Sequence, residues 1–177
     1  MSTTTYNLKT NVTTVKISDY IMETLVQHGI RQAFMISGGG AMHLIDSAGR
    51  HPQLDYVCCH HEQACAIAAE GYTRASGRMA AVIVTSGPGG TNTLTGVIGQ
   101  WLDSIPAIYI SGQVKQETTI TSCPGLQLRQ LGDQEINIVD IVRPVTKYAE
   151  MLRDPRDVSY HLHRALYLAT HGRPGPV

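Results

Sequence analysis

The chain has 177 residues, enough for one domain with a substantial core, and its 14 basic and 14 acidic residues cancel. Because the net charge is zero, no overall electrostatic field draws the protein to nucleic acid or to an anionic membrane. No apolar run approaches the ~20 residues that span a bilayer. The four cysteines contain no C-x-x-C pair, which favours reduced thiols and a cytoplasmic location.

The elements are predicted in chain order from hydrophobic periodicity and turn residues. Residues 1–14 are polar and are expected to form a flexible arm, and residues 15–177 form one domain. Ser18 is the expected N-cap of a first helix, which Gly29 ends. Strands then alternate with helices, with strands over 33–36, 54–59, 81–85 and 107–111 and helices over 41–48, 62–76 and 91–103.

Strands that are apolar on both faces and alternate with helices are typical of a parallel sheet covered on both sides. The predicted fold is therefore a three-layer α/β/α domain with a central, mainly parallel sheet of about six strands. Residues 112–133 lack periodicity and are predicted to form a long functional loop. Residues 145–150 are expected to form another strand, and residues 158–170 an amphipathic helix.

The last residues, Gly175-Pro176-Val177, follow a helix stop and resemble the start of a further buried strand. We therefore expect the domain to be truncated at its last strand and the chain to be a fragment of a longer protein.

Glycine-rich turns, among them residues 37–40 and 86–90, follow predicted strand ends, where open parallel sheets bind ligands. These turns do not contain G-x-G-x-x-G, G-K-[ST] or G-x-S-x-G, so a dinucleotide fingerprint, a P-loop and a nucleophile elbow are excluded. A metal site among the Cys and His residues at 58–65 is not favoured, since successive strand residues point to opposite faces.

Glu62 stands where a predicted strand ends and a helix begins. A carboxylate in the first turn of a helix stabilises the helix by only about 0.3–1 kcal/mol. From the spacing alone, this structural role of Glu62 and a chemical role are equally supported. Partial burial among alanines and facing glycines would suit Glu62 to share a proton with a ring nitrogen.

Four segments of the sequence stand in register with one another: His61-Glu62-Gln63, residues 69–77 (AEGYTRASG), residues 85–92 (TSGPGGTN) and residues 103–106 (DSIP). Together they resemble the pyrimidine-binding domain of thiamine-diphosphate enzymes, in particular the acetolactate synthase and pyruvate oxidase group. The resemblance extends over residues 15–177 and implies the fold of that domain.

The resemblance assigns roles to individual residues. In that family the glutamate matching Glu62 hydrogen-bonds the aminopyrimidine ring and promotes its imino tautomer, which makes Glu62 a catalytic candidate. Gln134 matches the glutamine of the family's F-Q-E segment and is the second. The cofactor-binding candidates are Ser37, Gly38, Gly39, Glu62, Ser86, Gly87, Pro88, Gly89 and Asn92.

The implied activity is that of an acetolactate synthase-like carboligase or decarboxylase, a transferase or lyase acting on a 2-keto acid such as pyruvate. The implied cofactor is thiamine diphosphate, with Mg²⁺ held by a diphosphate-binding domain whose G-D-G segment and paired asparagines are not present in these residues. In the family the cofactor lies between two subunits, so we expect a homodimer or tetramer through pyrimidine domains, and no turnover by these residues alone.

Several alternatives stay open. The family has Phe where this chain has Asp133, and the preceding loop also differs from the synthase pattern. The first departure and the loop leave open whether FAD is bound, and the departures over residues 114–135 leave open whether the acceptor is a keto-sugar nucleotide. The chain could also be a separate subunit of a two-chain 2-keto acid decarboxylase. A non-catalytic binding or assembly module that uses the same sheet is the alternative from another class.

Overall fold

A central sheet of four parallel strands organises the computed structural model, which describes residues 14–177. The predicted N-terminal arm therefore lies, except for Thr14, outside the described residues. In the sheet, the strands follow the order β2-β1-β3-β4. Their bounds are Gln32–Met35 for β1, Asp55–Cys58 for β2, Ala80–Val84 for β3 and Ala107–Ser111 for β4.

Seven α-helices connect and cover the strands in the described part of the chain. They are α1 (Ile17–Gln27), α2 (Met42–Arg50), α3 (Glu62–Ser76), α4 (Pro88–Thr91), α5 (Leu94–Asp103), α6 (Ile138–Val142) and α7 (Val158–Thr170). None of these helices combines the length and the apolar character that crossing a bilayer requires. The bounds of α3 and α7 confirm the predicted helices, and Gly77 ends α3 in a left-handed conformation, as a C-terminal glycine does.

Two hydrophobic clusters lie on opposite faces of the sheet. On one face, α1, α2 and α7 pack against apolar residues of β1, β3 and β4, including Met35, Ile83 and Ile108. On the other face, α3 packs Cys65 and Ala69 against alternate residues of the same strands. The arrangement confirms the predicted α/β/α layers and the parallel sheet.

The described sheet has four strands rather than six. Residues 145–150 do not form the predicted strand. Within residues 14–177, a single backbone hydrogen bond, from Lys147 N–H to the Pro176 carbonyl (2.8 Å), links residues 146–150 to a neighbouring segment. Val177 pairs with β4 as a parallel neighbour would, since its N–H donates to Ala107 (3.0 Å) and its carbonyl accepts from Tyr109 (2.8 Å).

Three further local predictions need correction. The first helix begins at Ile17 after Lys16, so Ser18 is not its N-cap; the Ser18 hydroxyl is buried and accepts from Ser47 of α2 (2.8 Å). The predicted helix over 91–103 starts earlier, at Pro88, because proline is well suited to a first helical position. It is also split into two helices, α4 and α5. Strand β2 is exposed along its whole length and lies at the edge of the described sheet, where β1 is its one neighbour among the described strands.

A buried polar bridge fixes α3 against α5 and β4. The Gln100 side chain is fully buried; its Nε2 donates to the Ala66 carbonyl (2.9 Å), and its Oε1 accepts from the Tyr109 hydroxyl (2.9 Å). Burial raises the pKa of Tyr109, so its hydroxyl remains a donor at neutral pH. This bridge holds the helix that begins with Glu62 in a fixed position on the sheet.

Replacing Tyr109 by Phe should lower the free energy of unfolding by about 1–3 kcal/mol, because the buried Oε1 of Gln100 loses its donor. The measurement is thermal or urea unfolding of the protein and the Y109F variant. The control is Y56F on the exposed strand β2, where loss of the hydroxyl should change stability by less than about 0.5 kcal/mol. Equal stability of Y109F and the wild type would contradict the importance of the bridge.

Candidate functional site

The carboxyl ends of the four parallel strands lie at one edge of the sheet, and the candidate site is built there. After β1 the chain forms β2 on one side, and it then crosses to form β3 on the other side of β1. This reversal separates the turns that follow β1 and β3, and such a switch point is where open α/β sheets place a ligand crevice.

Thr85 connects the two glycine turns at this crevice. The backbone N–H of Gly40 donates to Thr85 Oγ1 (3.1 Å), and Gly38 lies directly against the Thr85 side chain. Ser37 and Gly39, two predicted cofactor-binding residues, are exposed at the same edge. Thr85 was not among the predicted site residues, although its position between a buried strand and a glycine turn was visible in the sequence.

Glu62 is the first residue of α3 and is half-buried at this edge. The ring of His61 caps the helix, since its Nδ1 accepts from the backbone N–H of Gln63 (3.1 Å). The Glu62 Oε2 atom accepts a hydrogen bond from Asn92 Nδ2 (3.0 Å). Among the described residues, Glu62 Oε1 has no hydrogen-bond partner, so this oxygen is available to a ligand.

Gly89 leaves space beside this free oxygen. A Cβ atom on Gly89 would lie 2.8 Å from Thr85 Cγ2 and 3.8 Å from Glu62 Oε1. The bare backbone of the turn therefore allows close approach of a flat group to the carboxylate. Ser86 is buried beneath the turn and Pro88 is exposed, so the structure brings Glu62, Asn92 and Gly89 together and leaves Pro88 at the surface.

Gln134 lies against the same turn at Gly87. It has a positive φ of 56°, and its carbonyl oxygen lies 2.3 Å from the position of a Cβ on Gly87. Gly87 itself has φ 57° and ψ −117°, a conformation that favours glycine. The structure thus places the backbone of Gln134 against the glycine turn, with an exposed side chain.

Glu135 holds the long loop in place and was not predicted as a functional residue. Its Oε1 accepts from the N–H of Ile120 (2.7 Å), and its Oε2 accepts from Leu131 (3.1 Å) and Gly132 (3.2 Å). Burial acts to raise the pKa of Glu135, but these three donors outweigh it and hold that pKa below its usual range. The sequence contained no signal for this role, because the donors are backbone groups.

Replacing Glu135 by Ala should loosen residues 114–135, because three backbone N–H groups lose their acceptor. Trypsin should then cut at Lys115 and Arg129 at least about fivefold faster than in the wild type.

The same loop should respond to pH in the wild type. Since the pKa of Glu135 is lowered in the folded state, its carboxylate stabilises the loop above the pKa of the unfolded state. The loop should therefore loosen as the pH falls through the pKa of Glu135 in the folded state.

Glu117 provides the matched control, since it is exposed in the same loop. E117A should be cut at the wild-type rate, and equal cutting of E135A and E117A would contradict the anchoring role.

Most of the chain is similar to proteins of one family. Residues 15–140 match the family model described as "Thiamine pyrophosphate enzyme, N-terminal TPP binding domain". The chain is 37% identical over 160 residues to the acetolactate synthase isozyme 3 large subunit of Escherichia coli (strain K12), covering 90% of this chain and 26% of that protein. It is 36% identical over 160 residues to the acetolactate synthase large subunit of Lactococcus lactis subsp. lactis (strain IL1403), with the same two coverages.

A plant relative gives the same result. The chain is 36% identical over 162 residues to the chloroplastic acetolactate synthase of Arabidopsis thaliana, covering 92% of this chain and 23% of that protein. The chain thus spans about a quarter of the length of these relatives. With the family model matching well over half of its residues, this chain belongs to the family of thiamine pyrophosphate enzymes, as their N-terminal TPP-binding domain.

Proposed function

We propose that the chain is the pyrimidine-binding domain of an acetolactate synthase-like carboligase that acts on a 2-keto acid such as pyruvate. The observation that carries this proposal is the free Glu62 Oε1 beside the bare backbone of Gly89. The names of the similar proteins, all acetolactate synthases, support the choice of reaction.

The residues at the sheet edge suit the pyrimidine ring of thiamine diphosphate. We assign Glu62 Oε1 to a ring nitrogen, where the carboxyl group holds and moves a proton. Asn92 orients the carboxylate through Oε2, and the turn from Ser86 to Gly89 forms the wall beside the ring. When bound, thiamine diphosphate supplies a nucleophilic carbon that attacks a keto acid and stabilises the resulting negative charge.

Gln134 and the turn of Ser37, Gly38 and Gly39 are assigned to the substrate side. Gln134 lies against Gly87, and Gly38 lies against Thr85, so both segments border the same crevice. The NH2 group of an exposed amide at this position can donate a hydrogen bond to the keto or carboxylate oxygen of a keto acid.

A second protein surface is required to complete this site. Exposed apolar side chains on α3 and α5, namely Ile67, Ile98, Trp101 and Leu102, support coverage by another domain or subunit. We propose a homodimer or tetramer in the cytoplasm, with Mg²⁺ and the diphosphate held by the diphosphate-binding domain of a second subunit.

The test is product analysis with the full-length protein, pyruvate, thiamine diphosphate and Mg²⁺. We expect pyruvate consumption with formation of acetolactate. Release of carbon dioxide with acetaldehyde as product would contradict the carboligase assignment and favour a decarboxylase. Consumption of pyruvate only when a keto-sugar nucleotide is added would favour the second acceptor, for which the exposed Asp133 is the specific observation.

Replacing Asn92 by Ala should lower kcat about tenfold, which corresponds to about 1.4 kcal/mol, the scale of one hydrogen bond to a charged group. Because Asn92 acts by orienting Glu62, the KM for the keto acid should change by less than about threefold. Steady-state kinetics of the full-length N92A variant provide the measurement. An unchanged kcat would show that the hydrogen bond to Oε2 does not position the carboxylate.

A further inference from the structure

Two histidines far apart in the sequence meet on the surface opposite α3. His28 follows the last residue of α1, and His163 lies within α7. Their ring centroids are 5.2 Å apart, with an angle of 73° between the ring planes. Both residues are exposed, so the pair is accessible to solutes.

Each ring is held by a hydrogen bond that leaves one nitrogen free. Nδ1 of His28 lies 2.9 Å from the Thr24 carbonyl, and Nδ1 of His163 lies 2.8 Å from the Ser159 carbonyl. Because a carbonyl oxygen can only accept, both Nδ1 atoms carry the proton and both Nε2 atoms present a lone pair when the ring is neutral. Within residues 14–177, neither Nε2 atom has a hydrogen-bond partner.

This is the state in which histidine binds metals, since metal-binding imidazoles commonly donate their other N–H to a backbone carbonyl. With a metal–nitrogen distance of about 2.05 Å, a tetrahedral ion would lie about 3.2 Å from each ring centroid. If both Nε2 atoms bind one such ion, the two centroids lie roughly 5 Å apart. The observed centroid separation is 5.2 Å.

We propose that His28 and His163 together form a binding site for a divalent transition-metal ion, with Zn²⁺ as the ion whose geometry fits. Among the described residues, no cluster of three or more His, Cys, Asp or Glu side chains surrounds a metal position. The ion therefore keeps water or a group from another molecule as its other ligands. Two imidazoles select Zn²⁺, Ni²⁺ or Cu²⁺ over Mg²⁺, so this site is separate from the magnesium of the proposed cofactor.

The test compares zinc binding to the full-length wild type and the H28Q, H163Q and H171Q variants, by calorimetry in the presence of excess Mg²⁺. H171Q is the matched control, because the His171 Nδ1 also bonds a backbone carbonyl (Tyr167, 2.8 Å) but its ring stacks on Tyr167 instead of a histidine. We expect H28Q and H163Q each to lose one zinc equivalent per chain, while H171Q binds as much as the wild type.

Thermal unfolding gives a second readout. Zinc should raise the unfolding midpoint of the wild type and of H171Q, because the ion links α1 to α7 in the folded state only, and it should not raise that of H163Q. If H28Q does not fold, H163Q decides alone, since its side chain is exposed on the surface of α7. Equal zinc stoichiometry in all four proteins, or the same loss in H171Q, would overturn the proposal.

Discussion

Replacing Glu62 by Gln in the full-length enzyme should reduce kcat on the order of 100-fold or more without loss of the fold. Glutamine has the same shape and can still accept the hydrogen bond from Asn92. Its amide cannot hold and release a proton at the position of Oε1, which is the function that we propose for this atom. Steady-state rates of pyruvate consumption at saturating thiamine diphosphate measure the effect.

Glu70 offers a matched control on the same helix. It lies two turns after Glu62 and forms an ion pair with Arg74 at 2.8 Å. E70Q should retain wild-type activity within about threefold, since partly exposed ion pairs contribute about 0–1 kcal/mol. A rate for E62Q within about fivefold of the wild type would reject the proton-relay role of Glu62, whereas equal losses in both variants would assign the effect to α3 as a whole.

The fold could largely be predicted because its signals are local. Glu62 to Ser76 and Val158 to Thr170 are regular helical segments bounded by recognisable starts and stops, and both predictions were confirmed. The apolar run at residues 80–84 is buried throughout, as a central parallel strand requires. The prediction for β2 was less complete, because the sequence of an apolar strand does not reveal whether it lies at the edge of the sheet.

The candidate site was predicted in part for a related physical reason. Residues next to a strand end, such as Glu62 and Gly89, could be placed at one edge because parallel strands bring their carboxyl ends together. Thr85 and Glu135 act through backbone N–H groups, that of Gly40 in one case and those of Ile120, Leu131 and Gly132 in the other. Every residue except proline carries such a donor, so no sequence pattern distinguishes the ones used.

The mutation Gly87→Ala should damage the site more than any other single methyl addition in the turn. Gly87 has φ 57°, and a Cβ there would lie 2.3 Å from the Gln134 carbonyl oxygen and 2.9 Å from Gln134 Cβ. The backbone of Gln134 cannot remain in place beside such a group, and alanine at this φ and ψ adds strain of about 1–3 kcal/mol. The turn and the Gln134 segment must therefore separate.

The expected result is a fall in kcat on the order of 100-fold, since displacement of a positioning segment by about 1 Å can have that effect. Thermal unfolding distinguishes this from loss of the fold, because strain of about 1–3 kcal/mol lowers the midpoint by roughly 2–12 °C and leaves the protein folded at assay temperature. The control is Gly125→Ala, where no atom of residues 14–177 lies within 4 Å of the added methyl group and activity should not change. Full activity of G87A would mean that close packing of Gly87 against Gln134 is not needed for catalysis, and the assignment of Gln134 to the substrate side would then have to be abandoned.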